Sequence, residues 1–142
     1  MIECRTMASA ERLDAFALMK RFREDESALG DALALFVDRP DYGFVWLAYD
    51  DGIPAACLSA AFAISTESGG LIAELRDVYV TEERRRRGIG SALLATLHGR
   101  LDQLGVSRIE AAVPDDAPDL TAFFAARGYT RAAAARVTLN RR

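Results

Sequence analysis

The chain has 142 residues, of which 51% are hydrophobic and 27% charged, a composition that excludes a disordered chain and fits one folded domain. The formal net charge of −3 speaks against a nucleic-acid-binding protein, because phosphate binding needs a broad positive field. No apolar run approaches the roughly 18 residues of a membrane span, so we expect a single domain over residues 1–142 that binds neither nucleic acid nor membrane.

The first forty residues predict a short strand and two helices. Residues 2–5 form the candidate strand, and Ser9 is a candidate N-cap residue for the first helix. Apolar side chains recur there in three-residue steps, which predicts one buried face: Leu13, Phe16, Met19 and Phe22. A charged break at 23–26 separates this helix from a second one, which Pro40 ends.

Residues 43–80 have the composition of three strands. The segments 43–50, 53–66 and 71–80 are rich in strand-forming residues. The dipeptide DG at 51–52 is a hairpin signal, and the next turn, at 67–70, contains two glycines. We therefore expect an antiparallel meander.

The second half of the chain predicts alternating helices and strands. A helix begins near Gly90 and ends before Gly105, and leucines line one of its faces: Leu93, Leu94, Leu97, Leu101 and Leu104. Residues 108–113 predict a strand, 118–127 a helix, and 130–139 a last strand or hairpin. This order of elements predicts an α/β or α+β domain with a mixed sheet.

The segment RRRRGIGSALL, residues 84–94, lies between a strand and the most amphipathic helix. A dinucleotide fingerprint needs glycine or alanine where Leu93 stands, and a Walker loop needs a lysine, so both are excluded. A helix N-terminus presents unpaired amides and about half a positive charge, and glycines let an anion approach them. With the hydroxyl of Ser91, the segment predicts a pyrophosphate cradle; a solvated run of charges is the plainer alternative.

The cysteines and the histidine bear on metal binding and location. Cys4 and Cys57 are isolated and fit reduced thiols better than a disulfide framework. Together with His98 they form no metal-ligand spacing, so we predict no metal. The first residues contain no apolar segment typical of a signal peptide, and we expect a cytoplasmic protein.

Six consecutive residues match the signature [QR]-x-x-G-x-[GA] of the GNAT superfamily of acetyl-CoA-dependent N-acetyltransferases: Arg85, Arg86, Arg87, Gly88, Ile89 and Gly90. The preceding DVYVTEE resembles the family's lead-in, and LGVSRIEAAV with FFAARGYTR resembles its second conserved half. The resemblance is strongest over 71–129. It implies a mixed, mostly antiparallel sheet with a splayed central parallel pair that holds coenzyme A, flanked by about four helices. It also implies direct transfer of acetyl from acetyl-CoA to an amine in a ternary complex.

The resemblance implies which residues bind acetyl-CoA. The pantetheine arm pairs with main-chain groups of Val78, Tyr79 and Val80, and the pyrophosphate lies on residues 85–90 and Ser91. In the family, a tyrosine protonates the leaving thiolate, four residues before a Gly-Phe dipeptide.

At this tyrosine's position the sequence departs from the family. Gly128-Tyr129 fits the dipeptide, so Phe124 stands at the tyrosine position beside the cofactor, and Ala117 replaces a frequent asparagine. Water or another group, such as Tyr79, must then protonate the thiolate.

The attacking amine must lose a proton, which at a pKa of about 10.4 costs about 4.6 kcal/mol at pH 7. A carboxylate base offsets this cost. The resemblance gives the role first to Glu74, eleven residues before Arg85, and second to Asp77. The plainer alternative is a strand carboxylate paired with Arg76. The two acids face opposite sides of a regular strand, although a bulge is expected where the strands splay.

The acceptor, a small-molecule or peptide amine, is not identified by the sequence. Four acids lie in the region that the family uses for acceptors, and they either attract a cation or form a solvated face: Glu24, Asp25, Glu26 and Asp31. The alternative function is a non-catalytic acyl-CoA-binding module, and O-acetylation and longer acyl chains stay open. The family commonly dimerises, and residues 136–139 offer a strand edge, so we expect a homodimer.

Overall fold

The computed structural model describes residues 1–132, 134 and 136–141. In chain order its strands and α-helices are β1 (Ile2–Thr6), α1 (Arg12–Met19), α2 (Leu29–Asp38), β2 (Gly43–Asp50), β3 (Ile53–Ser65), β4 (Gly70–Val80), α3 (Ile89–Gln103), β5 (Arg108–Ala111) and α4 (Pro118–Ala125). Short 3-10 turns lie at Ser9–Glu11, Lys20–Phe22 and Glu82–Arg84. Within these described residues, no helix is both long and apolar enough to cross a membrane.

The strands form one sheet in the order β1-β2-β3-β4-β5. Strands β1 to β4 pair antiparallel, and β4 and β5 pair parallel. Asp51 and Gly52 have φ values of 49° and 82°, so both residues of the β2–β3 turn have the positive φ that the DG dipeptide predicts. The mixed, mostly antiparallel sheet with one parallel pair is confirmed.

Helices pack on both faces of the sheet. On one face, α1 and α2 pack against Val45, Leu47 and Tyr49 of β2. On the other face, Trp46 Nε1 donates a hydrogen bond of 3.0 Å to Thr96 Oγ1 of α3. Since side chains alternate along a strand, these contacts define an α1/α2 face and an α3 face for the whole sheet.

The first helix differs from its prediction at its N-terminus and on its buried side. Ala8, and not Ser9, is the N-cap residue of the opening turn, and its N–H donates to the Glu11 carboxylate at 2.8 Å. Leu13 is 83% exposed. The helix buries Met19 of the predicted row and packs Phe16 partly buried against the core, and it also buries Ala15 and Leu18, which the row did not include. Each three-residue step falls about 60° short of a full turn, so the predicted row does not stay on one face.

The helix predicted from the leucine pattern is α3, which begins at Ile89, one residue before Gly90. Four of its leucines are at most 1% exposed: Leu93, Leu94, Leu97 and Leu101. Leu104, predicted on the same face, is the C-cap residue and is 38% exposed. The backbone N–H groups of Gly105 and the next residue close the helix in a Schellman motif, which confirms the predicted glycine stop.

The chain divides into two compact units, Met1–Ala112 with the whole sheet and Val113–Arg142 with α4. The single domain over residues 1–142 stays a prediction. In the tail, none of the described residues 130–132, 134 and 136–141 lies in a strand, so the predicted last strand is wrong there. The same prediction for residues 133 and 135 lies outside the described residues.

Candidate active site

A β-bulge interrupts β4 near its end. On β3, Cys57 pairs with Tyr79. Ser59, two residues further along β3, pairs with Arg76, three residues back along β4, so one residue of β4 is extra. Asp77 has a φ of 60°, a left-handed backbone that costs a residue other than glycine about 1–2 kcal/mol. The bulge expected from the sequence is confirmed.

The bulge changes which side chains of β4 share a face. Glu74 pairs with Ala61, which lies on the α1/α2 face. In a regular strand Asp77 then points to the other side, but the extra residue returns it to the α1/α2 face, where Ser59 of β3 contacts it. Both predicted carboxylates therefore lie on the same face of the sheet, with Arg76 between them in sequence.

Both carboxylate oxygens of Asp77 accept hydrogen bonds. Arg23 Nη2 donates to Oδ1 at 2.6 Å, and Ser59 Oγ donates to Oδ2 at 2.8 Å. Behind the bulge, Cys57 Sγ lies 3.5 Å from the Asp77 carbonyl oxygen. Burial, and then the charge of Asp77, raise the pKa of the Cys57 thiol to about 12. Arg23 and Ser59 thus bind the carboxylate of Asp77, and the neutral thiol of Cys57 contacts its main-chain carbonyl oxygen.

Glu74 forms an ion pair with Arg76 on the same face. Nε and Nη2 of Arg76 both lie 2.6 Å from Glu74 Oε1, and the side chains are 53% and 23% exposed for Arg76 and Glu74 respectively. Glu110 of β5 is the register partner of Glu74 and lies 3.6 Å from Arg108. The pairing named as the plainer alternative is thus present.

Strands β4 and β5 part after Leu75. The last register pair joins Leu75 to Ala111, and the N–H of Ala112 still donates to the Leu75 carbonyl oxygen at 2.9 Å. Further along β4, Arg76, Tyr79 and Val80 have register partners on β3, and none of the described residues 76–80 has one on β5. The predicted pantetheine site, Val78 to Val80, therefore lies on a main-chain edge that β5 leaves unpaired.

The loop after β4 places a helix N-terminus next to this edge in sequence. Gly88 is the N-cap residue of α3 with a φ of 78°, and Arg86 is also left-handed at 66°. Ile89 is buried and anchors the first turn. The first helical hydrogen bond runs from Ala92 N–H to Gly88 O at 3.0 Å, so the preceding amides have no intrahelical acceptor. These are the groups that the sequence predicts for pyrophosphate binding.

The four arginines of the loop occupy different environments. Arg84 Nε lies 3.4 Å and Arg87 Nη1 4.0 Å from Asp50 Oδ2 at the end of β2. Arg85 Nε donates to the Val80 carbonyl oxygen at 3.0 Å. Arg86 is exposed, and the Arg87 side chain is 63% exposed. Asp50 therefore neutralises part of the charge, and Arg85, Arg86 and Arg87 are all exposed.

In the unit Val113–Arg142, Phe124 lies on α4 and is 3% exposed. Its ring centroid lies 4.9 Å from that of Tyr129. Burial raises the pKa of the Tyr129 hydroxyl to about 12, so this phenol holds its proton more tightly than usual. Phe124 itself has no proton to donate.

Three residues that support the candidate site were not identified from the sequence. Ser59 carries the hydroxyl in an otherwise apolar stretch of β3, and that contrast is a signal that could have found it. Arg23 and Asp50 reach the site only through tertiary contacts, and no spacing in the sequence indicates them. In the described part of the chain, no three His, Cys, Asp or Glu side chains form a group that could hold a metal ion.

Several solved structures share this fold over nearly the whole chain. An integron cassette protein from the Cole Harbour Salt Marsh metagenome has a TM-score of 0.85 and 20% identity, covering 98% of this chain and 90% of that one. The ribosomal-protein-alanine N-acetyltransferase of Brucella melitensis biovar Abortus 2308 has a TM-score of 0.80 and 12% identity, covering 99% of both. The aminoglycoside N-acetyltransferase AAC(6′)-Iy, in complex with a bisubstrate analogue, has a TM-score of 0.81 and 16% identity, covering 100% and 98%.

The comparison of sequences identifies the family. Among curated protein sequences there is no match. The model of the acetyltransferase (GNAT) family matches residues 9–129, which include strands β2 to β5, the bulge, the loop and α4. The chain therefore belongs to the GNAT family of acetyltransferases and is an acyltransferase.

Proposed function

We propose that the chain transfers the acetyl group of acetyl-CoA to an amine by direct attack in a ternary complex. One observation carries this proposal: the unpaired end of β4 leads within ten residues into the N-terminus of α3, and Glu74 lies on the same strand. The arrangement combines a main-chain edge for the pantetheine arm, an anion site for the pyrophosphate and a carboxylate for the amine.

Binding of acetyl-CoA rests on main-chain groups. We propose that Val78, Tyr79 and Val80 pair with the amides of the pantetheine arm. The amides of Gly88, Ile89 and Gly90, with Ser91, hold the pyrophosphate, and each such charged hydrogen bond contributes roughly 1.5–3 kcal/mol. Exposed arginines at the mouth of the loop, Arg85 to Arg87, neutralise the remaining phosphate charge.

Glu74 is the proposed base. The amine nitrogen attacks the carbonyl carbon of the thioester, its proton passes to Glu74 directly or through water, and the carbon–sulfur bond breaks. Asp77 is the weaker candidate because Arg23 and Ser59 already occupy both of its oxygens. The two hydrogen bonds on Asp77 support the order in which the resemblance ranks the two acids.

The leaving thiolate needs no strong acid. A thiol ionises at about 8.5, so a thiolate leaves more easily than an alkoxide and water can protonate it. Tyr129, with a pKa of about 12, is a weaker proton donor than an ordinary tyrosine, whose pKa is about 10. We therefore propose protonation by water or by Tyr79.

The test is acetylation of a panel of amines with detection of the released thiol. The neighbours' names suggest its members: aminoglycosides, peptides with N-terminal alanine, and glucosamine 6-phosphate. Polyamines and lysine peptides complete the panel. Thiol release that depends on one amine class supports the proposal. The second candidate is a non-catalytic acyl-CoA-binding module, which Phe124 favours because it cannot donate a proton as the family's tyrosine does. Binding of acetyl-CoA with no turnover of any amine in the panel would establish this second candidate instead.

A further inference from the structure

Three consecutive side chains after α1 contact β4 and the turn that follows it. The contacts are Arg21 with Glu83 (3.1 Å), Phe22 with Tyr79 (ring centroids 5.1 Å apart) and Arg23 with Asp77 (2.6 Å). We call residues 20–28, which join α1 to α2, the connector. The connector is therefore attached to the same end of β4 that lacks a β5 partner.

Arg23 makes the best shielded of these contacts. The side chains of Arg23 and Asp77 are 33% and 24% exposed, against 45% and 52% for Arg21 and Glu83. The guanidinium of Arg23 also lies 5.4 Å from the ring centroid of Phe22, so one side chain supports both the ion pair and the ring contact. Because water screens exposed pairs strongly, the Arg23–Asp77 pair holds the connector more firmly than the Arg21–Glu83 pair does.

The Arg23–Asp77 ion pair lies on the same face of the sheet as the proposed base. Glu74, the proposed base, lies on the α1/α2 face, as does Asp77 after the bulge. An amine that transfers its proton to Glu74 must approach from that face. The connector contacts β4 there, three residues beyond Glu74, and so borders the path of the amine.

We propose that Arg23 is a positioning residue for acetyl transfer, which acts through Asp77 to keep the connector closed against the end of β4, where the acceptor amine binds. The inference rests on the proposed function. Asp77 is then a clamp and not a proton acceptor, since its oxygens are held by Arg23 and Ser59. An open connector weakens binding of the acceptor and leaves the main-chain edge and the loop that bind acetyl-CoA in place.

The test is a double-mutant cycle of Arg23→Ala and Asp77→Asn, read by steady-state kinetics and calorimetry with the best amine of the panel. Asparagine accepts the left-handed backbone and the Ser59 hydrogen bond, so Asp77→Asn removes mainly the charge. Each single variant should raise the KM for the amine on the order of tenfold, and the double variant no further than either. The kcat and the Kd for acetyl-CoA should change by less than about threefold.

Two further variants keep the test sharp. Arg39→Ala, which removes an exposed ion pair with Asp41 of 2.8 Å, is the matched control and should leave the KM for the amine unchanged. Arg23→Lys retains a charge and should restore part of the affinity, and the circular dichroism of Arg23→Ala shows whether that variant is folded. An unchanged KM in Arg23→Ala, additive effects in the cycle, or a fall in kcat for Asp77→Asn overturns the clamp alone. A wild-type protein that acetylates no amine contradicts the proposed function as well.

Discussion

At Asp77 one left-handed residue decides how the carboxylates of β4 are arranged. Without the bulge, Glu74 and Asp77 point to opposite sides, and one of them faces α3. With the bulge, both lie on the α1/α2 face. The two acids then differ in their partners, because Glu74 pairs with exposed Arg76 and Asp77 is held by Arg23 and Ser59. Glu74 is therefore kept as the proposed base and Asp77 as the residue held by two donors.

Replacing Glu74 with glutamine tests this assignment. The variant keeps the shape of the side chain and removes its basicity, so kcat should fall on the order of 10²-fold or more with little change in the KM for acetyl-CoA. The rate should recover at high pH, because an amine with a pKa of about 10.4 then deprotonates without help. The pH dependence of kcat checks both statements.

Glu110→Gln is the matched control for this variant, because Glu110 is the register partner of Glu74 on β5 and has no proposed role. It should behave like the wild type. A kcat and pH profile near wild type for Glu74→Gln would show that Glu74 is not the base, and a large fall in kcat for Asp77→Asn would move the role there.

The sequence predicts the site residues unevenly. The bulge was expected because strands that splay need an irregularity, and the loop glycines mark a helix N-terminus. Arg23 was not predicted, since it lies 54 residues from its partner and belongs to a charged break in which only the acids suggested a role. Local patterns thus predicted the bulge and the start of α3, while side-chain partners depend on tertiary contacts.

Among the elements, the loop and first turn of α3 form the proposed pyrophosphate site, and Gly90 lies in that turn. Gly90→Val adds a branched side chain beside the amides, which should weaken acetyl-CoA binding more than tenfold by blocking the approach of the anion. Valine is at least as good a helix former as glycine, so the fold should persist. Calorimetry with acetyl-CoA measures the effect.

Gly99→Val is the matched control for Gly90→Val. Gly99 is exposed in the same helix, and a Cβ there meets no atom within 4 Å. This variant should bind acetyl-CoA as the wild type does. If Gly90→Val also binds within about threefold of the wild type, the pyrophosphate lies elsewhere.

The loop arginines are predicted to act by charge. The double variant Arg85→Ala with Arg87→Ala should weaken coenzyme A more than dephospho-coenzyme A, and pantetheine least, because the ligands carry successively fewer phosphates. The differences should shrink as salt is added. Arg100→Ala, which removes an exposed arginine of α3 outside the loop, is the control and should bind all three ligands as the wild type does. Equal losses for all three ligands would contradict an electrostatic role and point to a change in the shape of the loop.

The elements themselves followed their sequence patterns except where the pattern was weak. The strands β2 to β4 and the helix α3 lie within one residue of their predicted bounds, because turn signals and a leucine face define them. In α1 a three-residue spacing indicated a buried row, yet Leu13 is exposed. Met19 of that row is buried as predicted, and the true helical repeat of about 3.6 residues places Ala15 and Leu18 inward beside it.

For the whole molecule, the sequence predicted the mixed sheet but placed a strand in the tail. Residues 136–139 alternate charged or polar with apolar side chains, the pattern of a half-buried strand. A strand also needs a second strand to pair with, and no described residue of the tail is part of a strand. An alternating pattern therefore does not by itself predict that a strand forms.

The expected homodimer is the prediction that belongs to this scale. Val137 and Leu139 are 94% and 79% exposed, and a second copy would bury them. Light scattering should give twice the 15.5 kDa of one chain, and the double variant Val137→Ser with Leu139→Ser should shift the protein toward the monomer. Ile64→Ser, at an equally exposed position (83%) on the β3–β4 hairpin, should leave the assembly unchanged. A monomer at every concentration would refute the dimer, and a dimer that survives the double variant would place the interface away from the tail.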